Sequence, residues 1–434
     1  MLPAEIVDLI FSFLESDPFS LKKCVDCHSE LSKIAERYLY ASITICDTGC
    51  GYGPQIMPSV GLGELLLRNP HITNYVRSLT VKFTRPAFLG RYIQNVEAVT
   101  TLQDKLPLLE KLCLASVDGK RAAVWLEMHK NLRAAFLTFL RLPTLKEVNI
   151  QHIADFPLSA FDECQNITRL LLRGKFRHSD SEVRPSYPPL DFLSLQSCLP
   201  TIIPWIRSHS PRSLDFRVDN WDMFQDVLQV SNTLTMLNVD FSHYIHCTHF
   251  FPYHWSFIAE GLLVNTIYDL ISGVSSSIVS VPFNLGSLSS LQQLSIHASM
   301  RFSTDFFVGS TGSDMLETRR YYSPLPAVVQ ALLTLPSSCP LKVVTLYFDI
   351  SVTSAFYLSE IDWSPLFSRS LFSIIRQIDL RIKATAKGNL VPPPTIMSSL
   401  IANARLMRLV EQRLLMVKVE GFGDAVDILS EVGR

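Results

Sequence analysis

Cysteine and histidine residues near the N-terminus have spacings that could hold haem or a metal ion. The stretch from Cys24 through Cys27 to His28 spells the C-x-x-C-H signature of covalent haem attachment. Adding Cys46 and Cys50 gives C-x2-C and C-x3-C pairs, which is close to the spacing of a structural zinc site. The same cysteines also fit the packed face of a helix, and that interpretation competes with both metal hypotheses.

A second cluster holds His243, His246, Cys247, His249 and His254. Neutral imidazoles at this spacing can bind zinc or copper. The aromatic residues among them equally suit a packed loop, and no acidic residue lies within the cluster to act as a base. We expect the purified protein to contain no zinc, no haem and no other cofactor.

No motif predicts bond chemistry. The glycines of Gly49-x-Gly51-x-Gly53 are neither preceded by a convincing strand nor followed promptly by a helix, so they do not indicate a dinucleotide site. Ser, His and Asp occur widely, but no spacing indicates a catalytic triad. We expect a protein that is not an enzyme.

Composition limits the partners and the compartment. The 434 residues are 47% apolar and carry a net charge of −1, so nothing favours a nucleic-acid partner. Nine cysteines without a disulfide framework indicate a reducing compartment. The longest uncharged run, Leu270 to Met300, is rich in Ser and contains Pro282, so we expect no membrane span. The expected location is the cytoplasm, the nucleus or both.

The first 45 residues predict three short helices. Apolar residues recur at steps of three and four from Ile6 to Leu14, which puts a broad apolar face on one helix. Asp17-Pro18 breaks that helix, and two further apolar sets follow at 21–25 and 31–39. Three helices of this length make a core too small to be stable alone, so the module should pack on something else.

These residues also resemble a known family. Leu2-Pro3-x-Glu5-Ile6, then Ile10-Phe11-x-Phe13-Leu14, and the closing run 37–45 resemble the F-box, in particular that of mushroom-forming fungi. Family members dock this face on the Skp adaptor of cullin–RING ubiquitin ligases. The resemblance implies adaptor contacts by Leu2, Pro3, Ile6, Ile10 and Leu14. The middle helices lack the family's tryptophan, and an ordinary helical cap on a repeat protein is the alternative.

A second pattern repeats through the rest of the chain: apolar, two residues, apolar, one residue, apolar. Copies lie at 76–81, 109–114, 145–150, 167–172, 190–195, 211–216, 234–239, 291–296, 341–346, 375–380 and 414–419. From Val148 to Leu237 the steps are 22, 23, 21 and 23 residues, a period typical of leucine-rich repeats. The asparagine that follows each strand in regular repeats is missing from most copies. The pattern therefore resembles divergent leucine-rich repeats, with a stack of α/β units lacking solenoid regularity as the alternative.

The predicted fold class is α/β, with an F-box-like three-helix module at 1–45 and an irregular leucine-rich-repeat solenoid at 65–434. A Gly- and Pro-rich linker at 46–64 joins them. Helices are predicted over 121–140, 324–335 and 395–413. Two stretches, 243–286 and 302–322, interrupt the repeats, and the second is predicted to be a mobile loop.

The residue that follows each repeat's last apolar position should face outward. These residues are Gln151, Arg173, Gln196, Arg217, Asp240, His297, Tyr347 and Arg381. Adjacent strands lie about 4.8 Å apart, so the side chains would form a ladder, which we call the outward row. Its mixed polar, basic and aromatic character suits protein recognition, and the substrate contacts predicted from it are Arg173, Arg217, Asp240, His297, Tyr347 and Arg381. A solvated sheet face is the alternative.

The resemblance implies a non-catalytic substrate-recognition subunit of a Skp–cullin–F-box ubiquitin ligase. Such a protein works by proximity, because one end binds the Skp adaptor, and through it a cullin, while the other end binds an unknown protein substrate. The alternative is a ligase-independent scaffold in which the N-terminal helices only cap the repeats.

Overall fold

The computed structural model divides the chain into two units, Met1–Pro211 and Arg212–Arg434. No helix in the described segments is both long enough and apolar enough to cross a membrane. The structure describes residues 4–15, 17–27, 29–46, 56–58, 65–66, 68–83, 89–116, 122–162, 164–177, 190–196, 202–217, 226–228, 233–241, 284–308, 315–322, 324–352, 358, 361–386, 389–420 and 426–427.

The first unit opens with three helices: α1 (Ala4–Phe13), α2 (Pro18–Cys27) and α3 (Ser29–Leu39). Asp17 starts α2 because its carboxylate accepts hydrogen bonds from Ser20 N at 3.2 Å and Ser20 Oγ at 2.6 Å. The helices enclose a small core, whose fully packed members are Phe11, Leu21, Ala35 and Leu39. Three helices thus occupy the stretch predicted to be helical.

A parallel sheet follows these helices. Its strands are β1 (Ser42–Cys46), β2 (Ile56–Pro58), β3 (Ser78–Phe83), β4 (Lys111–Ser116), β6 (Glu147–Gln151), β9 (Arg169–Arg173) and β11 (Phe192–Gln196). Their spatial order is β2-β1-β3-β4-β6-β9-β11. The short strands β5 (Ala123–Val124) and β7 (Ile153–Ala154) pair with each other, as do β8 (Phe156–Pro157) and β10 (Phe176–Arg177). Connecting helices are α4 (Leu89–Leu102), α5 (Lys130–Leu140) and α6 (Ile203–His209), with 3-10 turns at Pro70–Asn74, Trp125–Glu127 and Leu158–Phe161.

The second unit is built in the same way. Its strands are β12 (Ser213–Arg217), β13 (Met236–Asp240), β14 (Gln293–Val308), β15 (Met315–Tyr322), β16 (Val343–Val352), β17 (Gln377–Ala386), β18 (Asn389–Leu390), β19 (Leu415–Val419) and β20 (Val426–Asp427). The order is β12-β13-β14-β16-β17-β19-β20, with β15 antiparallel to β14 and β18 antiparallel to β17. The helices are α7 (Leu325–Leu332), α8 (Arg369–Ile374), α9 (Pro393–Ile401) and α10 (Ala404–Glu411), with a 3-10 turn at Ser364–Phe367. The predicted α/β class is confirmed.

The predicted period is present in the strands themselves. Five strands of five residues begin at Glu147, Arg169, Phe192, Ser213 and Met236, so successive starts differ by 22, 23, 21 and 23 residues. In each strand the second and fourth residues are buried, and they are the last two apolar positions of the repeat pattern. Each strand therefore contributes two apolar side chains to the core between sheet and helices.

Aromatic side chains fill much of the first unit's core. Trp125 and Phe156 meet edge to face with ring centroids 4.7 Å apart, and Phe161 bridges from Phe156 to Trp205. His209 stacks on Trp205 at 3.9 Å, and its Nδ1 lies 2.8 Å from the Trp205 carbonyl oxygen. Burial lowers the pKa of His209 to about 4, so this histidine is neutral and structural.

The prediction of a loop over 302–322 is wrong for residues 302–308 and 315–322. Strand β14 continues to Val308 and pairs antiparallel with β15, with Arg301 opposite Tyr322 and Val308 opposite Met315. The Ser, Thr, Gly and Asp content suggested a loop, but the threonines and aromatic residues of this stretch also suit strands. The central residues Gly309 to Ser313 and the stretch 243–283 lie outside the described residues.

Helix boundaries also differ from the predictions. Only Lys130–Leu140 of the predicted helix 121–140 is α-helical, because His129 caps it and accepts a hydrogen bond from Asn131 N at 3.3 Å. The predicted helix 324–335 spans Leu325–Leu332. The predicted helix 395–413 is split into α9 and α10, since the Asn403 side chain accepts from Leu406 N at 3.1 Å and starts a new helix.

Two further differences from the predictions concern the first and last strands of the repeat pattern. Strand β2 lies within the predicted linker and pairs in parallel with β1. The last repeat copy is shifted by two residues, because Leu415 pairs with Ile378 and Val417 pairs with Leu380. Leu415, Val417 and Val419 are all buried, and such a strand fits the pattern in more than one register.

Gly174 provides a test of this architecture. Its φ is +141°, and a Cβ atom there would lie 2.9 Å from the backbone oxygen of Ile153. Gly174→Ala should therefore lower the free energy of unfolding by about 1–3 kcal/mol, measured by urea denaturation. Gly286→Ala is the control, because its φ lies outside the left-handed region and its Cβ would first meet a side-chain atom, the Asn284 Oδ1 that accepts from Gly286 N at 2.7 Å. An equal loss in both variants would contradict the strained backbone at Gly174.

Candidate functional site

Helix α1 is apolar on two sides. Val7, Phe11 and Leu14 face the core formed with α2 and α3. On the other side, Ile6, Leu9, Ile10 and Phe13 are 43%, 54%, 46% and 77% exposed, and Phe19 at the start of α2 is 64% exposed. We call these five exposed residues the helical patch. A solvated helix normally carries polar residues on its outer face, so these exposed apolar side chains are the unusual feature of the module.

The patch overlaps the predicted adaptor contacts in part. Ile6 and Ile10 belong to it, whereas Leu14 is half-buried against the helical core. Leu2 and Pro3 lie outside the described residues. The adaptor contacts implied by the family resemblance did not include Leu9, Phe13 or Phe19. The steps of three and four from Ile6 had already placed Leu9 and Phe13 on the apolar face of the predicted helix.

The orientation of α1 is fixed by α3. Arg37 forms an ion pair with Asp8, and the Tyr38 hydroxyl donates a hydrogen bond to the Asp8 backbone oxygen at 3.1 Å. The ring of Tyr38 also stacks on Phe11 with centroids 6.3 Å apart. These contacts hold the inner face of α1 against α3 and leave the helical patch facing away from the module.

The outward row forms in each unit as predicted from the repeat spacing. In the first unit Arg173 pairs in register with Gln151 on one side and Gln196 on the other. In the second unit the register runs Arg217, Asp240, His297, Tyr347, Arg381 and then Lys418. Lys418 was not predicted to belong to the row, because the last repeat is shifted by two residues from the predicted register. Arg173 and Arg217 belong to different units.

His297 lies at the centre of the row in the second unit. Its Nε2 is 2.9 Å from Asp349 Oδ2, and its Nδ1 is 3.9 Å from Asp240 Oδ1. The hydrogen bond to Asp349 raises the pKa of His297, and the charges of Asp349, Asp240 and Glu420 act in the same direction against partial burial. The imidazole is therefore charged over a wider pH range than a free histidine.

Tyr347 and Arg381 form the next part of this surface. The Arg381 guanidinium lies 5.0 Å from the centroid of the Tyr347 ring, and Arg381 Nε and Nη2 donate to Asp379 Oδ2 at 3.2 and 3.1 Å. Asp379 is 8% exposed, so this ion pair is partly shielded from solvent. Sequence reasoning missed Asp349 and Asp379, which lie two residues from row positions and therefore on the same face of their strands.

The metal hypotheses find little support in the described residues. Within the described ranges, no group of three or more His, Cys, Asp and Glu side chains is arranged to hold a metal ion. Cys24 is half-buried against the helical core, and Cys46 is buried on β1. The side chains of Cys27, His28 and Cys50 and the cluster at 243–254 lie outside the described residues.

Comparisons with known proteins identify no family. No protein-family model matches the chain, and a search of curated proteins finds no match.

The contacts of His297 predict how it titrates. Because Asp349 favours the charged imidazole, the pair stabilises the folded state most below about pH 6.5, and that contribution is lost as pH rises through the raised pKa. Asp349→Asn should lower the pKa of His297, measured by NMR titration of the imidazole. An unchanged pKa in this variant would contradict the His297–Asp349 contact.

Proposed function

We propose that this protein is a non-catalytic substrate-recognition subunit of a Skp–cullin–F-box ubiquitin ligase. The helical patch is the observation that carries the proposal. It is an apolar surface on a three-helix module, and Arg37 and Tyr38 orient it away from that module's core. These two residues belong to the closing run that resembles the F-box, so the resemblance and the geometry support the same binding face.

The substrate is bound by the outward row of divergent leucine-rich repeats. The row offers side chains of the kind that dominate protein interfaces, namely arginine and tyrosine, on a rigid sheet. Tyr347 and Arg381 already contact each other, so little side-chain entropy is lost when a partner binds them. The substrate and the ligase are then held at two separate surfaces of one chain, and catalysis by proximity needs no reactive side chain here.

A ligase-independent scaffold is the second candidate. It is favoured by the direct passage from α3 into the sheet, because Ala41 O accepts hydrogen bonds from Arg77 N at 2.8 Å and Ser78 N at 2.9 Å. In this candidate the three helices only cover one end of the sheet. A cap, however, gains nothing from exposed side chains such as Phe13, which is 77% exposed.

Ile10→Asp separates these two functions. A charge at this exposed position should abolish co-purification with a Skp adaptor, since it would be buried without a partner at the interface, and should leave the fold intact. Leu126→Asp is the matched control, because Leu126 is 55% exposed on the 3-10 turn Trp125–Glu127, which is not part of the helical patch. Normal adaptor binding by the Ile10 variant, measured quantitatively, would contradict the ligase assignment.

A double substitution tests the substrate surface. Arg173→Ala with Arg217→Ala removes one outward-row arginine from each unit, and guanidinium groups suit acidic or phosphorylated partners. The variant should keep its adaptor binding and its circular-dichroism melting curve but recover fewer co-purified proteins by mass spectrometry. Loss of folding would show a structural role for these arginines, and an unchanged set of partners would place recognition elsewhere.

A further inference from the structure

Three cations lie just before neighbouring strands of the second unit begin. The register of β16 and β17 places Lys342 beside Arg376, and Arg376 N donates to the Lys342 backbone oxygen at 2.9 Å. Strands β17 and β19 pair from Ile378 and Leu415 onward, and Arg376 and Arg413 each lie two residues before these first paired positions. All three side chains are exposed, and neighbouring strands lie about 4.8 Å apart. We call these three residues the basic edge.

The equivalent positions of the first unit have a different charge pattern. There Arg77, Glu110 and Lys146 precede successive strands, with Glu110 N donating to Arg77 O and Lys146 N to Glu110 O, both at 2.8 Å. The signs alternate, and Lys146 Nζ lies 3.6 Å from Glu110 Oε2. Like charges on neighbouring strands weaken a sheet, and Lys342 and Arg376 precede paired strands without an acid between them, whereas Glu110 lies between Arg77 and Lys146.

The backbone of Arg413 adds to that cost. Arg413 follows the end of α10 with φ of +58°. Its N–H donates to Val410 O at 2.9 Å, and Leu414 N donates to Leu409 O at 3.0 Å, which is the hydrogen-bond pair of a Schellman motif. Glycine is the usual residue at this left-handed position. An arginine here is unfavourable for the helix end and adds a cation to the edge.

We propose that the basic edge is a docking surface for an acidic segment of a partner protein. Arg405 and Arg408 are exposed on α10, which leads directly into Arg413, and Glu411 is the acid on that helix. Clustered guanidinium groups hold carboxylates with paired hydrogen bonds. Three strands span about 10 Å, which fits a short acidic segment better than a nucleic-acid duplex. The net charge of −1 for the whole chain also disfavours a long polyanion.

A labelled peptide tests the surface on the purified full chain. The probe is a fluorescein-labelled peptide of ten glutamates, with binding measured by anisotropy at low salt. Changing Lys342, Arg376 and Arg413 together to Gln should weaken binding by about tenfold or more. The matched control changes the exposed Lys82, Lys105 and Lys130 to Gln, which removes the same charge and should bind like wild type. Equal weakening in both variants, or no binding by wild type, would overturn the proposal.

Arg413→Gly supplies a variant that should not lose stability. It should raise or preserve the unfolding midpoint, because glycine suits the positive φ, while weakening the peptide. Unchanged peptide binding would show that Arg413 does not contact the peptide, and it would overturn the proposal that all three residues form the docking surface. Tighter binding of a ten-nucleotide single-stranded DNA than of the peptide would overturn the choice of a protein partner. No adaptor is present in these assays, so their failure would leave the ligase proposal untouched.

Discussion

Each repeat of this chain has an apolar face that it cannot bury alone, and the rest of the structure depends on that constraint. A strand such as Arg169–Arg173 buries Leu170 and Leu172 only when neighbouring strands extend the same surface on both sides. Parallel stacking follows, and the helices and turns between strands cover the apolar side. The opposite side is then a regular array in which residues with the same place in their repeats become neighbours. The outward row is a direct consequence of this stacking.

The N-terminal module of three helices also has apolar surface to bury, but it has too few residues to bury all of it. Among its described residues, four are fully packed in the core, and α1 places further apolar residues on its outer side. A partner covering this face would bury the exposed parts of Ile10 and Phe13, and full burial of such side chains is worth at most about 1.5–3 kcal/mol each. The strands bury their apolar positions when they stack, whereas the side chains of the helical patch stay exposed. This difference is why we place the ligase contact on the helices.

The repeat positions could be predicted because period and alternation are local properties of the sequence. Val148 and Ile150, with their equivalents 22 residues later, were sufficient to identify strands and their outward residues. The antiparallel pairing of β14 with β15 could not be predicted, since the polar composition of this stretch is also typical of a loop. The His297–Asp349 contact joins two strands and therefore depends on their register. Apolar alternation alone does not determine register, and the last repeat shows this, because Leu415, Val417 and Val419 fit the pattern in two registers.

Hydrogen–deuterium exchange of the full chain with and without a Skp adaptor tests the central claim most directly. The amides of Ala4–Phe13 and of the residues around Phe19 should exchange more slowly when the adaptor is bound, because docking on the helical patch suppresses local opening of α1 and α2. Amides in the strands of the second unit should be unaffected. Exchange that is unchanged throughout α1 at saturating adaptor would contradict the account.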